Sequence, residues 1–132
     1  MTRQHFSKDA LEAVRMDAYE GRMGELGGLV VAFESMPAQF PPDPAVLFRG
    51  LPDDHCQCDH WGYLFSGSFR VTRTDGSDFV VEAGEAYHLA PGHLVQTITA
   101  VELIEFSPRD EHARTMAQVA SNVEALQAGA SA

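Results

Sequence analysis

From residue 60 onward the chain never runs far without a turn signal. "WGYLFSG" closes on Ser66-Gly67, and "SFRVTR" then alternates Phe69 and Val71 with Arg70 and Thr72. "TDGSD" puts Asp75-Gly76 where a hairpin needs positive φ. "FVVEAGEAYHLAPGH" breaks at Gly84 and again at Pro91-Gly92, and "LVQTITAVELIEF" follows. Short runs of period two cut by such turns specify antiparallel strands with one face buried. A succession of them closes into a sandwich or barrel.

The flanks read differently. "GLVVAFESM" is a β-branched run that begins the strand zone at Gly28. "QFPPDPAVLF" holds three prolines, which argue against helix and central strand alike, so it is expected as an arm or edge segment. Residues 8–24 read as a short helical or mixed segment, with Leu11, Val14, Met16 and Tyr19 as a loose apolar face. Ser7 or Asp9 could cap it, and Gly27-Gly28 ends it. Beyond residue 106 the period lengthens. Ser107 suits a cap, Pro108 the first helical position, and Asp110 and Glu111 the positive helix start. Met116, Val119, Val123 and Leu126 then recur at helical spacing. The expectation is one all-β antiparallel domain over residues 1–132. Its barrel core covers about 28–107, with an N-terminal arm and a C-terminal α-helix over about 108–128.

The 132 residues are the length of one domain. Net charge is −10, from 19 acids against 9 bases, which argues against nucleic acid and anionic membrane as partners. No apolar run approaches the roughly 20 residues of a membrane span. The first residues lack the apolar block of a secretion signal, so the expected compartment is the cytoplasm. The proline-rich arm and the amphipathic helix suggest pieces that close over a neighbour, hence a homodimer.

The chemistry concentrates in "DHCQCDHWG". Residues 55–61 hold two of the six histidines, both cysteines and the single tryptophan. Alternate residues of a strand share a face, so an extended segment would align Cys56, Cys58 and His60. Thiolate with imidazole suits zinc, with iron or nickel as rivals. Cysteines two apart on a strand rarely meet disulfide geometry. The metal-free reading stands beside this one: Cys56 as a small buried hydrophobe and His60 as a hydrogen-bonded core residue.

"GLPDDHCQCDHWGYLFSGSFRV" followed by "GEAYHLAPGH" resembles the two-motif pattern of small single-domain bacterial cupins, the RmlC-like superfamily. "CQC", "HWGY" and "PGH" are similar to one branch of short cupins within it. The resemblance covers about residues 28–107 and implies a cupin β-barrel or jelly roll. Gly67 fits the glycine that ends the first motif, and Gly84, Pro91, Gly92 and His93 look like the second. Counting back from Gly67 puts His60 where the family has a ligand glutamate. The usual histidine pair falls on Asp54 and Cys56, or on Asp53 and His55 with a longer spacer. Val95 stands where the second motif has its usual histidine, and His93 sits next to Gly92 instead. The three-histidine, one-glutamate site is therefore not reproduced. What the resemblance implies in its place is Cys56 and His60 as the core pair, His93 arriving from the second motif, and Cys58 or His55 as a lesser candidate.

Glu105 shares a strand face with Val101 and Leu103, an apolar setting that would raise its pKa, and is the candidate catalytic group. Gln96 and Tyr63 are candidates for the pocket wall. Trp61 and Tyr63 alternatively cover the outer surface or a dimer interface. His88 is expected to point outward, with His5 and His112 solvated. Three functions fit: a metal-binding cupin that binds or transforms a small molecule in the barrel, a non-catalytic sensor or storage module, or a structural homodimer with a metal-free pocket. If the protein is an enzyme, isomerase, lyase or hydrolase chemistry on a small oxygenated compound is implied.

Overall fold

The computed structural model of the chain describes residues 3–131. Its strands are β1 (Ala13–Met16), β2 (Tyr19–Leu26), β3 (Leu29–Met36), β4 (His60–Ser66), β5 (Ser68–Arg73), β6 (Asp78–Glu82), β7 (Ala86–Leu89), β8 (His93–Thr97) and β9 (Val101–Pro108). Two helices complete it, α1 (Pro44–Leu47) and α2 (Arg109–Ser131). The strands form a six-stranded sheet in the order β1-β2-β3-β9-β4-β7 and a three-stranded sheet in the order β6-β5-β8. Every pairing between these strands is antiparallel. This is the antiparallel two-sheet arrangement expected from the alternation and turn pattern, and the jelly roll that the resemblance implies.

The core joins the two sheets. Leu64, Leu103, Tyr87 and Leu89 of the large sheet pack with Phe69, Val71 and Val81 of the small one. Phe69 and Val71 face in while Arg70 and Thr72 face out, as the period of two requires. Leu64 is wholly buried. Leu64→Ala is expected to cost about 2–5 kcal/mol of unfolding free energy, from lost transfer energy plus a cavity that rigid sheets cannot close. Urea denaturation reads this directly; a loss under about 1 kcal/mol would mean that the sheets do not share this core.

Three local expectations are corrected. Residues 8–24 are not a helical segment: after a short 3-10 turn at Lys8–Ala10 they form β1 and most of β2. Asp17, at φ 55°, turns one strand into the next, and Gly21 and Gly24 are poor helix formers. Phe6 and Leu11 pack over Gly24 on the outside of the sheet. The proline-rich segment does contain one helical turn, because Pro44 sits at its start, where a missing N–H costs nothing. Ser107 does not cap α2, since β9 runs on through it to Pro108 and its side chain turns inward. The helix begins one residue later than expected and extends to Ser131.

The arm and α2 meet within the chain. They fold against each other over the chain's own barrel, where Asn122 Nδ2 donates to Leu47 O at 2.8 Å and Gln118 Nε2 donates to Arg49 O at 3.0 Å. Beneath this roof lies a cavity of about 280 Å³, with Leu47, Phe48, Met116, Val119 and Val123 on the roof side.

Candidate metal centre

The segment before β4 crosses from the small sheet to the large one, and the crossing gathers three side chains. Cys56 pairs with His93 in an isolated antiparallel bridge; its N–H donates to His93 O at 2.9 Å, and Gly92 N–H donates to Cys56 O at 2.7 Å. His60 opens β4 on the other sheet. Cys56 Sγ lies 3.4 Å from His60 Nε2, and the His60 and His93 rings meet edge to face at 5.3 Å between centroids. One ligand atom from each of the three lies within 4.8 Å of the others. Zinc bonds of about 2.0 Å to nitrogen and 2.3 Å to sulfur put tetrahedral neighbours about 3.5 Å apart. The Cys56–His60 spacing is that of two ligands on one ion.

Each imidazole has its other nitrogen engaged. His60 Nδ1 lies 2.7 Å from Ser107 Oγ and 3.2 Å from a Glu105 oxygen. His93 Nδ1 donates to Ala90 O at 2.6 Å. Such partners fix ring orientation and leave Nε2 as the ligand atom, the arrangement found around metal-binding histidines. Burial pushes both imidazoles down to about 4, so both are neutral at pH 7 and can ligate without shedding a proton. Burial pushes the Cys56 thiol up to about 12, so a metal must displace its proton, while in the metal-free chain the S–H can donate to His60.

Beyond His60 the large sheet carries a polar floor. Glu105 on β9 and Glu34 on β3 both line the cavity. Burial raises Glu34 to about 8, helped by the Glu105 charge, and burial raises Glu105 to about 7. The Tyr19 hydroxyl donates to Glu34 at 2.7 Å, and burial pushes that phenol well above its usual range.

The remaining sequence candidates go elsewhere. His55 turns out of the cluster, with Nδ1 donating to Asp53 O at 2.6 Å. Cys58 is buried, but its thiol donates to Asp59 O at 3.3 Å and does not line the cavity. Gln96 is not a pocket residue: it follows Val95 on the opposite face of β8 and donates to Pro41 O at 2.9 Å. Tyr63 is not one either, because strand parity puts it outside with Trp61 and Phe65, all three exposed. His88 points outward as expected, stacked on Trp61 and 2.8 Å from Asp59 Oδ1. His112 is not solvated: it lines the cavity from α2, and burial lowers its pKa.

Tyr19, Glu34, Ser107 and His112 were not among the sequence candidates. A usable signal existed for Glu34, which shares its strand face with Ala32 and Met36; a carboxyl on an inward face is rarely there without a task.

No protein-family profile and no curated protein sequence matches the chain. Solved structures do resemble it. A mutant of Bacillus subtilis oxalate decarboxylase superposes with a TM-score of 0.58 at 16% identity, over 82% of this chain and 30% of that one. An RmlC-like cupin from Shewanella frigidimarina gives 0.56 at 20% identity, over 80% and 92%. A protein of Neisseria meningitidis gives 0.52 at 11% identity, over 76% and 94%. The chain thus has the cupin fold. It corresponds to less than a third of the oxalate decarboxylase chain it matches.

Proposed function

We propose that the protein is a metal-binding cupin whose ion, zinc in the first instance, is held by Cys56, His60 and His93, and whose cavity receives a small molecule. The observation that carries this is the convergence of three ligand atoms, with the second nitrogen of each of the two imidazoles already engaged. Three protein ligands leave a position for water or a ligand atom, and the metal would serve there as a Lewis acid or activate water. Iron and nickel remain rivals for the same donors. Around that position the chain's own groups do the rest. Glu105 orients His60, and the Glu34–Glu105 pair can hold or pass a proton near neutral pH. The apolar roof of α1 and α2 excludes water. Oxalate, the substrate in the name of one neighbour, suits this cavity poorly, since two carboxyl groups and no Lys or Arg line it.

Protein reconstituted with zinc and dialysed is expected to retain about one equivalent; less than about a tenth of an equivalent would overturn the reading. Azide binding to a cobalt-substituted form tests the open position and favours an enzyme. A closed four-ligand spectrum favours the sensor or storage role instead.

A homodimer is part of the proposal. Trp61, Tyr63 and Phe65 make an exposed aromatic row on the outer face of β4. Two such rows packed together would bury apolar area that a single barrel leaves in water. Light scattering is expected to show a dimer that Phe65→Lys shifts to monomer. A wild-type monomer at high micromolar concentration would exclude it. Two free buried thiols suit the proposed cytoplasmic setting, and no helix among the described residues is long and apolar enough to cross a membrane.

A further inference from the structure

The cavity floor carries groups that the metal centre does not account for. Glu34 pairs with Leu103 and Glu105 with Ala32 across β3 and β9, so the two carboxyl-bearing residues are diagonal neighbours on one face. Each stands opposite a glycine overlaid by a tyrosine. Glu34 faces Gly21, where a Cβ would collide with the Tyr19 hydroxyl. Glu105 faces Gly62, where a Cβ would come 2.5 Å from the Tyr87 hydroxyl. The first tyrosine donates to its glutamate at 2.7 Å. The second, Tyr87, is 8% exposed, and its hydroxyl lies beside Glu105. The two carboxyl groups also reach each other. Two carboxyl groups share this space with no Lys or Arg to neutralise them.

We infer that the cavity's ligand is a small amine, its nitrogen lodged against the paired carboxyl groups of Glu34 and Glu105, and its apolar body under the roof formed by Met116 and Val119. The inference rests on the proposed role of the cavity as a small-molecule site and adds the class of molecule. The nitrogen supplies what the floor lacks: a positive charge against two buried carboxyl groups. The methionine and valine surface accepts an alkyl or aryl group without a polar demand of its own.

The test uses benzylamine, benzyl alcohol and benzoate, each titrated into the zinc-loaded full chain by calorimetry. Benzylamine is expected to bind at least about tenfold more tightly than the other two. Glu34→Gln is expected to lower benzylamine affinity by about tenfold, with benzyl alcohol affinity and zinc content unchanged. The amine preference should persist in Cys56→Ser, which separates binding at the carboxyl groups from binding to the metal. Equal or tighter binding of benzoate or benzyl alcohol, no binding of any probe, or an unchanged benzylamine affinity in Glu34→Gln would each overturn the inference. Zinc is measured in the same samples. Metal retained without amine preference sinks the amine inference alone, and wild type that fails to hold zinc sinks the metal reading alone.

Discussion

Cys56→Ser protein is expected to hold zinc at least a hundred-fold more weakly than wild type, roughly the upper end of what losing a group that only orients a ligand costs. The thiolate is the one charged donor among the three, and a serine hydroxyl does not ionise to replace it. His93→Ala should lose as much, because His93 is fixed by Ala90 with its free nitrogen in the cluster. Ser107→Ala keeps all three donors but frees the ring of His60, so its loss should be smaller, about ten-fold to a hundred-fold. Cys58→Ser should cost less than any of these, since that thiol bonds to Asp59 O and is not one of the three donors. Chelator competition ranks the four variants, with circular dichroism to confirm that each folds. The backbone bridge between Cys56 and His93 needs neither side chain, so folding should survive. A loss in Cys58→Ser equal to that in Cys56→Ser would mean that the ligand set is wrong.

Between pH 6.5 and about 8.5 the metal-free protein is expected to lose stability, by several degrees in melting temperature. The folded pKa of Glu34 is raised to about 8 and that of Glu105 to about 7, from 4.5. Raised carboxyls contribute stability that is whole below pH 4.5 and is lost as pH climbs through their folded values, because the unfolded chain has already released those protons. His60 and His93 are depressed from 6.5 to about 4, so their contribution is whole above 6.5 and is lost as pH falls through 4. The two pairs oppose each other between 4.5 and 6.5, giving a plateau with a fall on either side. Glu34→Gln keeps the shape and removes the charge, so it should flatten the alkaline limb and leave the acid limb alone. A melting temperature that rises from pH 6.5 to 8.5, or the same slope in Glu34→Gln, would contradict the burial of this carboxyl pair.

The strands after residue 60 were legible because each carries its own signal. Phe69 and Val71 alternate with polar neighbours, Tyr87 and Leu89 with His88, and a glycine follows each of these two runs; β8 and β9, with no glycine between them, were read as one stretch. Residues 8–24 were misread because Gly21 on the inward face of β2 and Gly24 on its outward face carry no side chain, and alternation shows only where one face is apolar. Those glycines are small for a tertiary reason, since Tyr19 covers one and Phe6 and Leu11 the other. Gln96 and Tyr63 were pocket candidates, Tyr63 with the outer surface as its alternative, and strand parity puts both outside. His112 was placed in solvent because no local pattern tells which face of α2 lies over a cavity.

Local sequence therefore determined the class of fold, the crowding of donors at residues 55–61 and the pairing of Cys56 with His60, since those depend on period, turn chemistry and short spacing. Only the tertiary structure decided which donors meet. His93 joins them because the Cys56 bridge ties the first motif to β8, while Cys58 and His55, as near in sequence, are turned away by hydrogen bonds to Asp59 O and Asp53 O. The carboxyl floor is tertiary as well. Glu34 and Glu105 lie 71 positions apart (105 minus 34), and only the register of β3 on β9 makes them neighbours. Pairing across a sheet is set by which faces can be buried together, and no single strand carries that information.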